Sequence, residues 1–157
     1  MSLSKPVLAV AGALALTLAT SALPAQADEG VGVWASGHVQ GVGWMPPSTE
    51  IVGTTGQGLR LEAIALVDPI AEIRGHVQDV GWQEWSTDHA GTEGLGLRLE
   101  AVQISGRFGN TIRCQAHVEG IGWMPPVSDG EICGTTGRGL RLEAVRFWLE
   151  PHPTPAG

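Results

Sequence analysis

Three side chains that can bind or react recur at matching positions along the chain. A histidine, an arginine and a glutamate occur in each of three segments: His38, Arg60 and Glu62; His76, Arg98 and Glu100; His117, Arg141 and Glu143. Arginine donates and carboxylate accepts hydrogen bonds, so each Arg/Glu set fits a polar wall against the hydroxyls of a glycan. The alternative is that each arginine pairs with its neighbouring glutamate as an ion pair.

The histidines leave three roles open. Three imidazoles meeting at one point would suit zinc, which takes about three protein ligands plus water in catalytic sites. No Cys/His spacing motif accompanies them, however, and a neutral histidine that bridges two backbone groups explains the repetition equally well. A ligand contact is the third role. We predict no metal site and no cofactor.

A Gly-Trp pair follows each histidine, which places the tryptophans at Trp44, Trp82 and Trp123. Indole is the largest apolar side chain, so these residues could anchor a small β core, or their faces could stack on sugar rings. The middle segment adds Trp85 between acidic residues, which fits a sugar-holding cluster or a cover over the core. We predict that the four tryptophans and the three Arg/Glu sets bind the ligand.

Catalysis is not expected from these residues. A glycosidase needs two carboxyl groups about 5 to 10 Å apart in different environments. A glutamate that is repeated in three equivalent segments has the same environment each time. No Ser-His-Asp order and no phosphate-binding glycine loop is visible. We therefore predict a binding protein and not an enzyme.

The elements that carry these residues form an internal repeat. The Gly-Trp tryptophans are 38 and 41 residues apart, and the units span about 31–68, 69–106 and 110–150 within one predicted domain, 28–150. In "IRCQAHV" and "LRLEAV" apolar and polar residues alternate as in strands, and glycine-rich turns separate the segments. The pattern predicts an all-β, closed fold with threefold pseudosymmetry. A β-trefoil is favoured over a β-prism, with a small propeller-like or sandwich arrangement as a further alternative.

The ends of the chain predict export. Residues 1–27 contain Lys5, an apolar run and the small-residue motif Ala25-Gln26-Ala27, which is typical of a signal peptide cut after Ala27. A retained membrane anchor is the alternative. No later stretch has the roughly 20 apolar residues of a spanning helix, so no membrane insertion is expected. Residues 151–157, rich in proline, are predicted to be a disordered tail.

Charge and cysteine content narrow the partners. After the predicted cut the chain keeps eight arginines and no lysine against sixteen acidic residues, a formal charge of −8. That balance argues against nucleic acid and anionic membrane surfaces and leaves uncharged polysaccharide open. Cys114 and Cys133 are the only cysteines, and export favours a disulfide over a nucleophilic thiol.

The combined elements resemble a known family of repeats. "AHVEGIGW", "GTTGRGLRLEAV" and the threefold array are similar to the clostridial hydrophobic repeats with a conserved tryptophan, called ChW repeats, which also occur in secreted actinobacterial proteins. The resemblance implies an extracellular, non-enzymatic module with proposed roles in polysaccharide binding or cell adhesion. The family pattern usually has a second tryptophan after the first, which only the middle unit retains, at Trp85. We expect a carbohydrate-binding module, with a surface protein as the alternative partner.

Overall fold

All the regular structure lies in β-strands in the computed structural model, which describes residues 30–151. The predicted signal peptide and residues 152–157 of the predicted tail lie outside the described residues. The strands are β1 (Ala35–Val39), β2 (Gly43–Trp44), β3 (Val52–Gly53), β4 (Leu61–Leu66), β5 (Ala71–Val77), β6 (Gly81–Trp82), β7 (His89–Gly91), β8 (Leu99–Gly106), β9 (Ile112–Val118), β10 (Gly122–Trp123), β11 (Cys133–Gly134) and β12 (Leu142–Leu149). Within 30–151, no helix is long and apolar enough to cross a bilayer.

The strands form three antiparallel four-stranded sheets, each built mainly from one repeat. Their orders are β2-β1-β4-β7, β6-β5-β8-β11 and β10-β9-β12-β3. The fourth strand of every sheet comes from the next repeat, and the third repeat receives β3 from the first. This cyclic exchange ties the repeats together, because none completes its sheet alone. The all-β prediction with a threefold repeat is confirmed, while the preference for a trefoil over a prism stays a prediction.

Apolar side chains on the long strands form one core. In β9, Ile112, Cys114, Ala116 and Val118 are buried and alternate with partly exposed residues, as the sequence predicted. The partner strands differ, because β4, β8 and β12 each begin with four consecutive buried residues. The simple alternation predicted for "LRLEAV" is interrupted there, and the interruption has a structural cause in a β-bulge.

At each bulge, the backbone of the following repeat lies close to the backbone of the bulged glutamate. The register shifts between β4 and β1, β8 and β5, and β12 and β9, and the extra residues are Glu62, Glu100 and Glu143. The Glu62 carbonyl accepts a hydrogen bond from the backbone N–H of Thr92, at 2.9 Å. A Cβ on Gly91 would lie 2.2 Å from that carbonyl oxygen, so only glycine fits. The repeated Gly-Thr pair therefore closes one unit onto the bulge of the one before it.

The third unit carries a disulfide where the other units have apolar pairs. Cys114 is bonded to Cys133, so the predicted disulfide is confirmed and the nucleophilic alternative is wrong. At the corresponding places the second unit has the buried residues Ile73 and Ala90. The bond thus links β9 to β11 at a contact that the fold makes in every unit.

This equivalence allows the cross-link to be separated from the packing. Cys114→Ile with Cys133→Ala copies the second unit and is expected to lower the free energy of unfolding by about 3 kcal/mol, the loop-closure effect for a sequence separation of 19. Cys114→Ser with Cys133→Ser should lose more, because it also buries two hydroxyls. Urea unfolding of both variants measures the difference, and equal stability of the two would contradict this division.

Candidate functional site

The bulge in each sheet brings together side chains that are far apart in sequence. In the first sheet His38 lies on β1 between Trp44 on the neighbouring β2 and the bulged Glu62 on β4. A bulge adds a residue without a cross-strand partner and turns its side chain. The Glu62 carboxylate is therefore directed at the histidine of the facing strand, and the same holds in the other two sheets.

The contacts within the three sets are nearly identical. The histidine Nδ1 lies 3.1 Å from the glutamate Oε2 for His38, His76 and His117 alike. These are close contacts without hydrogen-bond alignment, since Nδ1 has no aligned partner among the described residues. The other carboxylate oxygen accepts from the arginine two residues earlier; the Arg98 Nε–Oε1 and Nη2–Oε1 distances are 3.0 and 2.8 Å.

Arginine and glutamate therefore pair as ions, and they differ in exposure. The side chains of Glu62, Glu100 and Glu143 are 7–9% exposed, whereas those of Arg60, Arg98 and Arg141 are 25–26% exposed. A ligand can reach the guanidinium groups more easily than the carboxylates. The predicted polar wall is thus a layer of arginines supported from below by buried glutamates.

The Gly-Trp tryptophans lie at the surface and outside the buried core. Trp44 is 40% and Trp123 37% exposed, and Trp82 is partly exposed. Each indole makes an edge contact with the histidine of its own unit, with ring centroids 5.2–5.3 Å apart. The histidine therefore fixes the tryptophan on one side and meets the glutamate on the other.

An arginine lies against the indole in two of the three units. The Arg74 guanidinium is 5.0 Å from the Trp82 ring centroid and 4.9 Å from that of Trp85, which is itself 36% exposed. In the third unit Arg146 lies 5.3 Å from the Trp123 centroid. These distances are those of cation–π contacts, which reduce the side-chain freedom of an exposed tryptophan.

The two arginines lie on different strands of their sheets, and each bonds a glutamine on the facing strand. Arg74 on β5 bonds Gln103 on β8, whereas in the third unit Gln115 on β9 bonds Arg146 on β12. The first unit has Ser36 opposite Ala65 at these positions. Its Trp44 has no guanidinium over it in the described part of the chain, and its indole N–H donates to Glu93 of the second unit at 2.9 Å. The three indoles are thus held similarly but covered differently.

The arginines of the three sets meet in a cavity of about 450 Å³ between the repeats. This cavity, called the central pocket below, is lined by the side chains of Arg60, Arg98, Arg141, Gln40, Gln78 and Glu119. Sequence analysis missed the last three, although they follow the His-Val pair in each repeat. That position is a usable signal, but only the fold shows that it faces the arginines.

The histidines do not meet at one point, because each contacts the glutamate of its own sheet. No group of three or more possible ligands is positioned to hold a metal ion in residues 30–151. Trp85 and Trp82 both contact the Arg74 guanidinium, so they belong to one surface. The arginines of the predicted Arg/Glu sets line a separate surface, the central pocket. The predicted site residues therefore form two surfaces, one aromatic and one polar, joined through the histidines.

The sets predict unequal effects for the same substitution. Glu62→Gln or Glu100→Gln removes the carboxylate from its arginine and histidine and is expected to cost about 2 kcal/mol of unfolding free energy. Glu143→Gln should cost roughly 1 kcal/mol less, because Arg141 keeps a second carboxylate, Glu119, at 2.6 Å from its Nη1. Thermal and urea unfolding of the three variants provide the comparison.

The double variant Glu119→Gln/Glu143→Gln is the control for this explanation. It leaves Arg141 with neither carboxylate and should bring the loss in the third unit up to that of the other two. If Glu143→Gln alone already destabilises the protein as much as Glu62→Gln, the second ion pair does not have the compensating role assigned to it.

Comparison with known proteins agrees with the repeat pattern. A family model described as "Clostridial hydrophobic W", or ChW, matches residues 38–67, 76–105 and 117–151, one match for each unit and together more than half of the chain. Comparison with curated proteins and with solved structures gave no significant match. Each matched segment begins at a histidine of a Trp-His-Glu-Arg set and contains its other members. The chain therefore belongs to the ChW repeat family.

Proposed function

We propose that the protein is a secreted, non-catalytic module that binds extracellular or cell-wall polysaccharide through its exposed tryptophans. The observation that carries this proposal is the repeated presentation of Trp44, Trp82 and Trp123. Each lies on a short surface strand, is partly exposed, and is fixed by an edge contact with a histidine. A rigid exposed indole offers an apolar face to a sugar ring with little loss of side-chain entropy.

The repetition favours binding over catalysis. The three His-Glu distances are equal, and each glutamate has the same kind of arginine partner. Acid–base catalysis by two carboxyl groups needs environments that differ. Three similar weak sites suit a repetitive polymer, because linked sites raise avidity by roughly 100-fold or more.

The cysteine bond supports the proposed location. Disulfides persist in oxidising surroundings and are rare in the cytosol of mesophiles. Cys114 and Cys133 form such a bond, which is compatible with an extracellular protein. The location itself rests on the signal peptide inferred from residues 1–27.

The proposal predicts loss of polymer binding without loss of fold. Trp44→Ala, Trp82→Ala and Trp123→Ala combined are expected to weaken binding to insoluble polysaccharide at least about tenfold, or 1.4 kcal/mol. Trp85→Ala alone should weaken the contribution of the middle unit. Pull-down on cellulose, chitin and peptidoglycan measures the bound fraction, and circular dichroism checks the fold.

Trp34 provides a matched control. It is 50% exposed but lies outside the Gly-Trp strands, so Trp34→Ala should bind the polymer as the unchanged protein does. Undiminished binding by the triple variant, or an equal loss with Trp34→Ala, would remove the tryptophan faces from the proposed site.

A protein partner is the second candidate, and one observation favours it. The residue two positions before each Gly-Trp tryptophan is apolar and exposed: Val42 is 58%, Val80 59% and Ile121 44% exposed. An aliphatic side chain beside an aromatic one is a usual composition for the centre of a protein interface. Polysaccharide recognition by indole stacking gives no reason for these three residues.

Replacing the aliphatic residues distinguishes the two candidates. Val42→Ser, Val80→Ser and Ile121→Ser combined should leave polysaccharide pull-down within about twofold of the original, because the indoles remain. If this variant loses adhesion to a cell surface and the unchanged protein binds none of the three polymers, the protein-partner function is the correct one.

A further inference from the structure

Beside each arginine of the central pocket there is a position from which a carboxylate can bind the guanidinium group, called the carboxylate seat below. Among the three units, only the third has a carboxylate there, that of Glu119. Gln40, Gln78 and Glu119 occupy equivalent positions, because their backbone N–H groups donate to the carbonyls of the pocket arginines at 3.0 Å in every unit. The three side chains therefore enter the pocket from matching places. They differ in chemistry, since two end in an amide and one in a carboxylate.

In the third unit the carboxylate binds the arginine directly. Glu119 Oε1 lies 2.6 Å from Nη1 of Arg141, and its other oxygen accepts from the Arg141 backbone N–H at 3.3 Å. The same guanidinium binds Glu143 through Nε and Nη2. One arginine thus holds two carboxylates, a buried one below it and a second one at the pocket.

The first two units have the lower carboxylate and lack the upper one. Arg60 and Arg98 bind Glu62 and Glu100 through Nε and Nη2, and their Nη1 groups have no partner in the part of the chain that the structure describes. The Gln40 side-chain amide is likewise without a partner there. The pocket therefore presents two pre-oriented guanidinium edges to solvent.

Glycines of the neighbouring unit leave room beside the two free arginine edges. The Arg60 guanidinium extends towards Gly96 of the next unit, where an added Cβ would lie 3.4 Å from Nη2. The Arg98 guanidinium extends in the same way towards Gly139, where the distance would be 3.5 Å. Both glycines have φ of +65°, a conformation that side chains rarely adopt. The ion pair with the buried glutamate holds each arginine, so little side-chain entropy is lost when a ligand binds.

We propose that the central pocket binds the carboxylate of a small ligand through the free Nη1 edges of Arg60 and Arg98. Glu119 shows the mode of binding, because the protein's own carboxylate already occupies the equivalent place on Arg141. The cavity, about 450 Å³, is large enough for an acidic sugar unit as well as for a free short-chain carboxylate. This proposal does not depend on the tryptophan faces or on the proposed function.

Charge limits the affinity of such a site. Each pocket arginine is already neutralised by a glutamate, and Glu119 adds one negative charge, so attraction comes from short hydrogen bonds and not from a net positive field. The negative charge of the whole chain is screened beyond about 8 Å at physiological salt. A dissociation constant on the order of 1 mM that changes little with salt is expected.

A side-chain NMR titration tests the proposal directly. The probes are sodium glucuronate, sodium acetate and glucose, with the Nε–H signals of Arg60 and Arg98 as the readout. Glucuronate should shift both signals, and glucose, which has the same ring without the acid, should shift neither. Similar affinity for acetate indicates a free carboxylate as the ligand, whereas at least tenfold tighter binding of glucuronate indicates an acidic sugar.

Replacing the Gln40 and Gln78 amides by carboxylates gives Arg60 and Arg98 a partner from the protein itself. Gln40→Glu with Gln78→Glu reproduces the arrangement of Glu119 and should weaken glucuronate binding at least tenfold. Val31→Glu with Thr87→Glu adds the same charge at exposed positions outside the pocket lining and should leave binding within about twofold, as expected for screened charges. Glu119→Gln frees Arg141 and should bind at least as tightly as the original protein.

Three results would overturn the proposal. The first is the absence of shifts with either acid up to about 50 mM, a concentration well above the millimolar dissociation constant expected. The second is equal binding of glucose and glucuronate. The third is undiminished glucuronate binding by the Gln40→Glu/Gln78→Glu variant. Loss of polysaccharide binding in the tryptophan variants has no bearing on these outcomes, because those side chains do not line the pocket.

Discussion

The carboxylates of Glu62, Glu100 and Glu143 have to be satisfied where they lie, because a buried charge without partners costs several kcal/mol. Each one is placed by a β-bulge between a histidine of the facing strand and an arginine of its own chain segment. The histidine in turn holds the surface tryptophan, and the arginine lines the central pocket. One buried charge therefore fixes the side chains of two separate surfaces.

The same bulge also joins the repeats. Its carbonyl receives the backbone N–H of a threonine from the next unit, and the glycine before that threonine permits the approach. Because every sheet takes its last strand from a neighbouring repeat, a unit cannot form its bulge contact without the following one. Local geometry and the cyclic exchange of strands thus support each other, which is the consistency that a short repeat protein needs for stability.

Some residues at equivalent positions differ between the three units, and these differences give the units different surfaces. The arginine over the indole changes strands together with its glutamine partner between the second and third units, which preserves the pair at one place in space. The first unit has small residues there, and Trp44 bonds across to Glu93 instead. In the central pocket, Glu119 replaces a glutamine and fills one of three equivalent seats. Such changes are tolerated because they lie outside the buried sets.

The sequence by itself determined the all-β class, the three units and the expected disulfide, because these depend on periodicity, spacing and composition. It left open whether each arginine pairs with its glutamate or faces a ligand, and the structure shows the ion pairs. The tertiary structure decided what sequence spacing cannot express. A bulge changes which residues face one another across strands, so the contact between His38 and Glu62 and the burial of that glutamate could not be read from the alternation of "LRLEAV". The pocket around Arg60, Arg98 and Arg141 likewise exists only when three units close on one another, since these arginines line one cavity but are about forty positions apart in the chain.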